Sequence, residues 1–153
     1  MGGPHPIESR CTAEGDQRVG TKIVLADDEP DLRAIYAACL RKVGYQVHEA
    51  ADGREAVALV VAHRPALLIL DVWMPHLNGF EVLDELREDP LATNLKVVML
   101  SNLGDSDTRL EGYAVGVVDY WLKSLLSLNE LQRRVRDVLA EIESEAPMAS
   151  ELS

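Results

Sequence analysis

Asp71 closes the apolar run Ala66-Leu67-Leu68-Ile69-Leu70, and Val72-Trp73-Met74-Pro75-His76-Leu77-Asn78-Gly79 follows it. A continuous apolar run of this length ending in one carboxylate reads as a buried parallel strand that delivers an acid to its C-terminal edge. In open α/β sheets that edge is where ligands bind. Met-Pro and Asn-Gly are turn signals, so Asp71 is expected at the mouth of a loop. Lys22-Ile23-Val24-Leu25-Ala26 is a second short strand pattern, and it ends in Asp27-Asp28-Glu29. Acids from two parallel strand ends would converge, and carboxylates sharing one pocket repel unless a cation neutralises them. Hard oxygen ligands with room for waters favour Mg²⁺. Two later strand ends add Ser101-Asn102, after Lys96-Val97-Val98-Met99-Leu100, and Lys123, after Val117-Val118-Asp119-Tyr120-Trp121-Leu122. Acids, a hydroxyl and a lysine around a divalent cation suit phosphoryl transfer, where positioning and charge neutralisation do most of the work.

These residues need strands to carry them and helices to space them. Residues 30 to 43 place Leu32, Ile35, Tyr36, Cys39, Leu40 and Val43 at helical spacing, with Pro30 in the first turn and Gly44 at the stop. Tyr45-Gln46-Val47-His48-Glu49 alternates as a strand does. Asp52-Gly53-Arg54-Glu55 opens a helix that runs to about His63, with the acid as cap. Phe80, Val82, Leu83 and Leu86 give a third helix, ended near Asp89-Pro90. A short fourth helix is expected over roughly 105 to 114. Ser127-Leu128-Asn129-Glu130 has the form of a capping box. It opens a last helix whose buried stripe is Leu128, Leu131, Val135, Val138, Leu139 and Ile142. Five such β-α units with short connections mean a parallel sheet covered on both faces.

Asp27-Asp28, Asp71 with Met74-Pro75 and Asn78-Gly79, Ser101, Tyr120 and Lys123 stand in this order on an alternating β/α pattern. The set resembles the receiver domain of bacterial two-component response regulators, the family of single-domain chemotaxis and cell-cycle regulators. The resemblance covers about residues 21 to 144. It implies an α/β, doubly wound, flavodoxin-like (β/α)5 fold, with five parallel strands in the order 2-1-3-4-5 and five helices. It implies that Asp71 takes a phosphoryl group from a histidine kinase or histidine phosphotransferase in a Mg²⁺-dependent reaction. Asp28 and Asp71 would hold the metal through side chains, Trp73 through its backbone carbonyl and Asp27 through water. Lys123, Ser101 and the Asn102 backbone would bind the phosphoryl oxygens. Ser101 and Tyr120 would form the switch that reshapes the face of the fourth helix, fifth strand and fifth helix for a protein target. On this reading the chain is a phosphoacceptor signalling protein that assists its own phosphorylation and dephosphorylation, and not an enzyme with a separate substrate.

The whole sequence bounds the partners. At 153 residues and 47% hydrophobic content, the chain can bury one full core, and 5% aromatic content makes that core aliphatic. Lys and Arg number 15 against 26 Asp and Glu, a net charge of −11 that argues against nucleic-acid binding. Cys11 and Cys39 have no metal or redox spacing and read as reduced cytoplasmic thiols. No apolar stretch at the start suits a signal peptide or membrane span, and Pro6 stands where a myristoylation signal needs Ser or Thr. Residues 1 to 20 and 145 to 153 are expected to be disordered tails. Without an output domain after the last helix, the signal would leave through a protein partner. A monomer is expected, with dimerisation through the switch face the alternative.

Several positions depart from the family pattern. Ser124 stands where a proline usually follows the lysine, and a cis bond before a non-proline costs about 2.5–4 kcal/mol, so a trans bond is expected. Asn102 replaces a commonly small residue and would narrow access for the donor. Trp73 and Leu103 would flank the phosphoryl group and exclude water, giving a long-lived state. A dehalogenase-type enzyme also uses a strand-end Asp, but needs a second acid where Trp73 stands. A flavodoxin-like cofactor binder needs a Ser/Thr/Gly-rich phosphate loop after the first strand, where this chain has Asp27-Asp28-Glu29. The main alternative is a receiver-like interaction module that works independently of phosphorylation.

Overall fold

In the computed structural model, residues 20–90, 95–102 and 117–152 are described, with side chains to residue 141. The apolar runs and the alternating segment form β1 (Lys22–Ala26), β2 (Gln46–Ala50), β3 (Leu67–Asp71), β4 (Lys96–Ser101) and β5 (Asp119–Leu122). All pair in parallel in the order β2-β1-β3-β4-β5. Between them stand α1 (Pro30–Lys42), α2 (Gly53–His63) and α3 (Gly79–Arg87). A single 3-10 turn (Lys123–Leu125) leads into a C-terminal helix (Leu128–Leu152). The expected fourth helix and Leu103 lie outside the described residues, as do residues 1 to 19.

Period-two alternation divides the central strands between two cores. Ile23, Leu25, Leu67 and Ile69 face α1 and the C-terminal helix, where Tyr36, Leu40, Leu131 and Val135 meet them. Val24, Leu68, Leu70 and Met99 face α2 and α3, against Val60, Val82 and Leu86. Every residue of β3 is buried. That explains its unbroken apolar run and leaves its terminal Asp71 as the exception. The core is mainly aliphatic, yet Trp121 and Tyr36 are its largest fully buried side chains. The Trp121 indole satisfies its N–H by donating to Asp119 Oδ2 at 2.9 Å.

The helix signals act as expected. Asp52 accepts from the Glu55 backbone N–H at 2.9 Å, and Ser127 Oγ accepts from the Glu130 backbone N–H at 3.1 Å. At the end of α1 Gly44 takes a φ of 107°, a conformation a side chain would strain. The β2 ladder begins at Gln46 rather than Tyr45, because the Tyr45 N–H closes the end of α1 on Leu40 O at 3.3 Å. Leu128 corrects the expected stripe: it is 43% exposed while Leu131, Val135, Val138 and Leu139 are buried. As first helical residue its side chain leans toward the N-terminus, beyond the layer that covers the sheet. The C-terminal helix runs on to Leu152, through a segment that contains Pro147.

Gly79 starts α3 hard against the strand that carries Asp71. A Cβ there would stand 2.9 Å from the Asp71 carbonyl oxygen and 3.1 Å from Val72 Cα, both backbone atoms that cannot swing aside. Gly79→Ala is expected to cost about 1–3 kcal/mol in chemical denaturation, the range for overpacking a fixed site. An unchanged midpoint would mean that the loop yields freely.

Candidate functional site

The parallel register brings the strand ends to one edge. Ala26 pairs with Leu70, Asp71 with Leu100, and Ser101 with Leu122. The residues just beyond or at those ends, Asp27, Asp28, Asp71, Ser101 and Lys123, therefore meet without long loops. Asp27 still donates its N–H to Ala50 O at 3.1 Å, so it is held as if β1 ran one residue further. Its Oδ1 accepts from the Glu29 N–H at 2.9 Å, closing the turn into α1. Beyond Asp71 the chain turns through His76, in the left-handed region at φ 72°. It is then locked by a reciprocal capping box: Asn78 Oδ1 accepts from Glu81 N at 2.9 Å, and Glu81 Oε1 accepts from Asn78 N at 2.8 Å.

Lys123 is the centre of the cluster. Its Nζ donates to Asp71 Oδ2 at 3.1 Å and to Asp27 Oδ1 at 3.2 Å, and lies 3.0 Å from Asp27 Oδ2. Glu29 Oε2, on an exposed side chain, is a third partner at 3.5 Å. Asp27 is fully buried and Asp71 is 4% exposed, whereas Asp28 is exposed to solvent. Burial pushes the Asp71 carboxyl up to about 7; Lys123 opposes the rise, Asp27 adds to it, and the Trp73 N–H, 3.3 Å from Oδ1, opposes it slightly. Burial works against the Lys123 charge, but the Asp71 and Asp27 carboxylates outweigh it and hold its pKa above the ordinary lysine value.

The remaining expected residues are placed as follows. Ser101 is buried at the end of β4, and its hydroxyl donates to the Asn102 carbonyl at 3.3 Å. Asn102 is exposed. Tyr120 is turned inward, 7% exposed, in the core layer of Met99 and Val117. Trp73 is 54% exposed beside Asp71. The bond from Lys123 to Ser124 is trans, like every described peptide bond. Two contacts were missed by sequence reasoning. Glu29 was visible as the third acid after β1, but nothing local says that it reaches a lysine 94 residues away. Arg33, on α1, donates to the Asp27 carbonyl oxygen at 2.8 Å, with no spacing signal to announce it.

The family model described as the response regulator receiver domain matches residues 23–136. The chain belongs to this family. It is 39% identical over 123 residues to "Probable transcriptional regulator ycf27" of Cyanophora paradoxa, covering 80% of this chain and 50% of that one. It is 35% identical over 133 residues to "Phosphate regulon transcriptional regulatory protein PhoB" of Pseudomonas aeruginosa, covering 85% of this chain and 58% of that one. The receiver thus spans about half the length of these curated relatives. Among solved structures, chemotaxis response regulator CheY4 of Vibrio cholerae superposes with a TM-score of 0.72 at 30% identity, over 78% of this chain and 99% of that one.

Receiver domains are signalling modules that bind Mg²⁺ at an acidic pocket, and the residues of this chain fit one. One carboxylate oxygen each from Asp27, Asp28 and Asp71 lies within 4.8 Å of the others. Asp27 Oδ2 is buried with an ion-pair neighbour but no hydrogen bond of good geometry among the described residues, so it has a lone pair to offer. No helix among the described residues is long and apolar enough to cross a membrane.

The raised Asp71 pKa makes the metal-free fold pH-sensitive in a defined direction. The folded state keeps a proton that the unfolded chain releases near pH 3.9, so stability falls as pH rises from about 4 to about 7. Asp71→Asn is expected to raise the thermal midpoint without Mg²⁺ at pH 8 and to change it little near pH 4. A gain of equal size at both pH values would mean that the Asp71 charge is not the strained element.

Proposed function

We propose that this chain accepts a phosphoryl group on Asp71 from a phosphohistidine of a histidine kinase or phosphotransferase and passes the signal to a protein partner. The observation that carries the reading is the contact of Lys123 Nζ with Asp71 Oδ2 at 3.1 Å, in a pocket shared with two further aspartates. Mg²⁺ would be held by the Asp28 and Asp71 side chains and the Trp73 carbonyl, with Asp27 acting through water. When bound there, it supplies positive charge to the oxygens of the transferring group. Asp71 attacks in line; the bond from its oxygen to phosphorus forms as the nitrogen–phosphorus bond breaks, and the electron pair leaves with the imidazole. Lys123 keeps the attacking carboxylate oriented and then pairs with the phosphoryl oxygens. The Asn102 backbone contributes a further phosphoryl contact.

Ser101 and Tyr120 carry the switch. The Ser101 hydroxyl exchanges the Asn102 carbonyl for a phosphoryl oxygen, a contact that exists in one state alone and therefore biases an equilibrium. Moving a two-state element from 1:99 to 99:1 takes about 5.5 kcal/mol. Two charge-assisted hydrogen bonds at roughly 1.5–3 kcal/mol each are of that order. Tyr120 lies on β5 two residues before Leu122, the partner of Ser101, so a shift of the β4 end reaches it directly. The face formed with the C-terminal helix is then read by a protein target in the cytoplasm. The net charge of −11 disfavours nucleic acid as that target.

Incubation of the wild-type protein with Mg²⁺ and a small phosphoryl donor should add one phosphoryl group by intact mass, with none on Asp71→Asn. If a cognate phosphohistidine donor also fails, the chain acts as a phosphorylation-independent interaction module, a reading that the intact Asp27, Asp28, Asp71, Ser101 and Lys123 set argues against and that Ser124 and Asn102 leave open. Trp73 is exposed enough to lie over the phosphoryl group and exclude water. Trp73→Ala is expected to shorten its lifetime about tenfold, equal to roughly 1.4 kcal/mol of barrier. An unchanged decay would assign Trp73 to loop packing.

A further inference from the structure

The regular hydrogen bonding of β1 stops one residue before it is most needed. Asp27 N–H is paired with Ala50 O, the last bond of that ladder. The Asp27 carbonyl oxygen instead takes a side-chain donor, Arg33 Nη1 at 2.8 Å. The peptide plane between Asp27 and Asp28 is therefore set by a side chain on α1. Asp28 is exposed, and where its carboxylate points depends on that plane. An error in the plane passes straight to one of the three acids of the cluster.

Arg33 is itself held on its other side. Its Nε donates to Glu49 Oε1 at 3.2 Å, and the second oxygen, Oε2, accepts from Arg41 Nη1 at 3.1 Å. Arg41 in turn donates through Nη2 to Val47 O at 2.7 Å, which ties α1 to β2. The guanidinium is planar, so a bond at Nε and another at Nη1 fix its orientation completely.

We propose that Arg33 is a positioning residue for the acidic cluster, fixing the Asp27–Asp28 peptide so that Asp28 is aimed at the metal, with Glu49 holding the guanidinium in register. The proposal rests on the Mg²⁺ and phosphoryl reading above and goes beyond it by assigning a residue that touches neither ligand. Arg41 provides the internal control. It shares Glu49 and the tie between α1 and β2, but makes no contact with Asp27.

The test is Mg²⁺ titration of the full chain, followed by indole fluorescence, with phosphoryl uptake by intact mass as a second readout. Wild type, Arg33→Ala, Arg33→Lys and Arg41→Ala are compared. Loss of a supporting hydrogen bond behind a ligand typically weakens metal binding by about 10–100-fold, so Arg33→Ala should fall in that range. Arg33→Lys, which retains one donor and the charge, should recover most of the affinity, and Arg41→Ala should stay near wild type. Arg33→Met, with the stem kept, replaces Arg33→Ala if the latter does not fold. Arg33 variants that bind Mg²⁺ like wild type would overturn the proposal, and so would equal losses in Arg33→Ala and Arg41→Ala, which would mark a structural tie alone. Wild-type protein that neither responds to Mg²⁺ nor takes up phosphoryl would instead overturn the underlying reading together with this one.

Discussion

The Lys123 ammonium is the interaction on which the functional edge of this molecule depends. Two carboxylates, those of Asp27 and Asp71, are removed from water at strand ends, and each alone would face a large desolvation cost. One buried cation between them turns that repulsion into two ion pairs. The compensation is incomplete, because Asp28 adds a further acid and Glu29 reaches the same ammonium from the surface. Burial, with the neighbouring Asp27 charge adding to it, raises the Asp71 pKa, and the excess of carboxylates over the one lysine leaves a pocket that fits a divalent cation.

The same constraint explains the architecture around the site. Carboxylates that repel stay together when the backbone beneath them cannot move. β3 supplies this rigidity, being buried along its whole length between β1 and β4. The turn after it is pinned by the Asn78 and Glu81 capping box and by the close contact of Gly79 with the Asp71 carbonyl. The turn after β1 is pinned from the other side by Arg33 and by the Asp27 side chain on the Glu29 N–H. Lys123 stands at the start of the 3-10 turn that follows β5, and its side chain is almost wholly buried, which limits the freedom of its stem.

Much of this was legible in the chain itself. Four short apolar runs and one alternating segment mark the five strands, because runs so short and so apolar are stable only when both faces are covered, whereas alternation suits the half-exposed β2. The pairing of turn chemistry with helical spacing placed α1, α2 and α3 to within a residue or two, since capping depends on local backbone groups. The meeting of the candidate site residues was legible for the same reason. Asp27, Asp28, Asp71, Ser101 and Lys123 each follow an apolar run, and in a parallel sheet all such ends lie on one edge.

What the sequence could not hold was anything decided between elements. Leu128 has the spacing of a buried residue, but only the position of its helix end over the sheet leaves it in solvent. Tyr120 reads as a switch residue at the end of the chain's last strand, and only the packed sheet shows it turned inward, in the layer of Met99 and Val117. Glu29 reads as the third acid after β1, and nothing in the spacing of Arg33 singles it out. Their partners, Lys123 and the Asp27 carbonyl, are chosen by the crossing of α1 over the end of the sheet. Local sequence determined which residues stand at the strand ends; the tertiary structure decided which charges meet there, because Coulomb energy depends on distances that only packing sets.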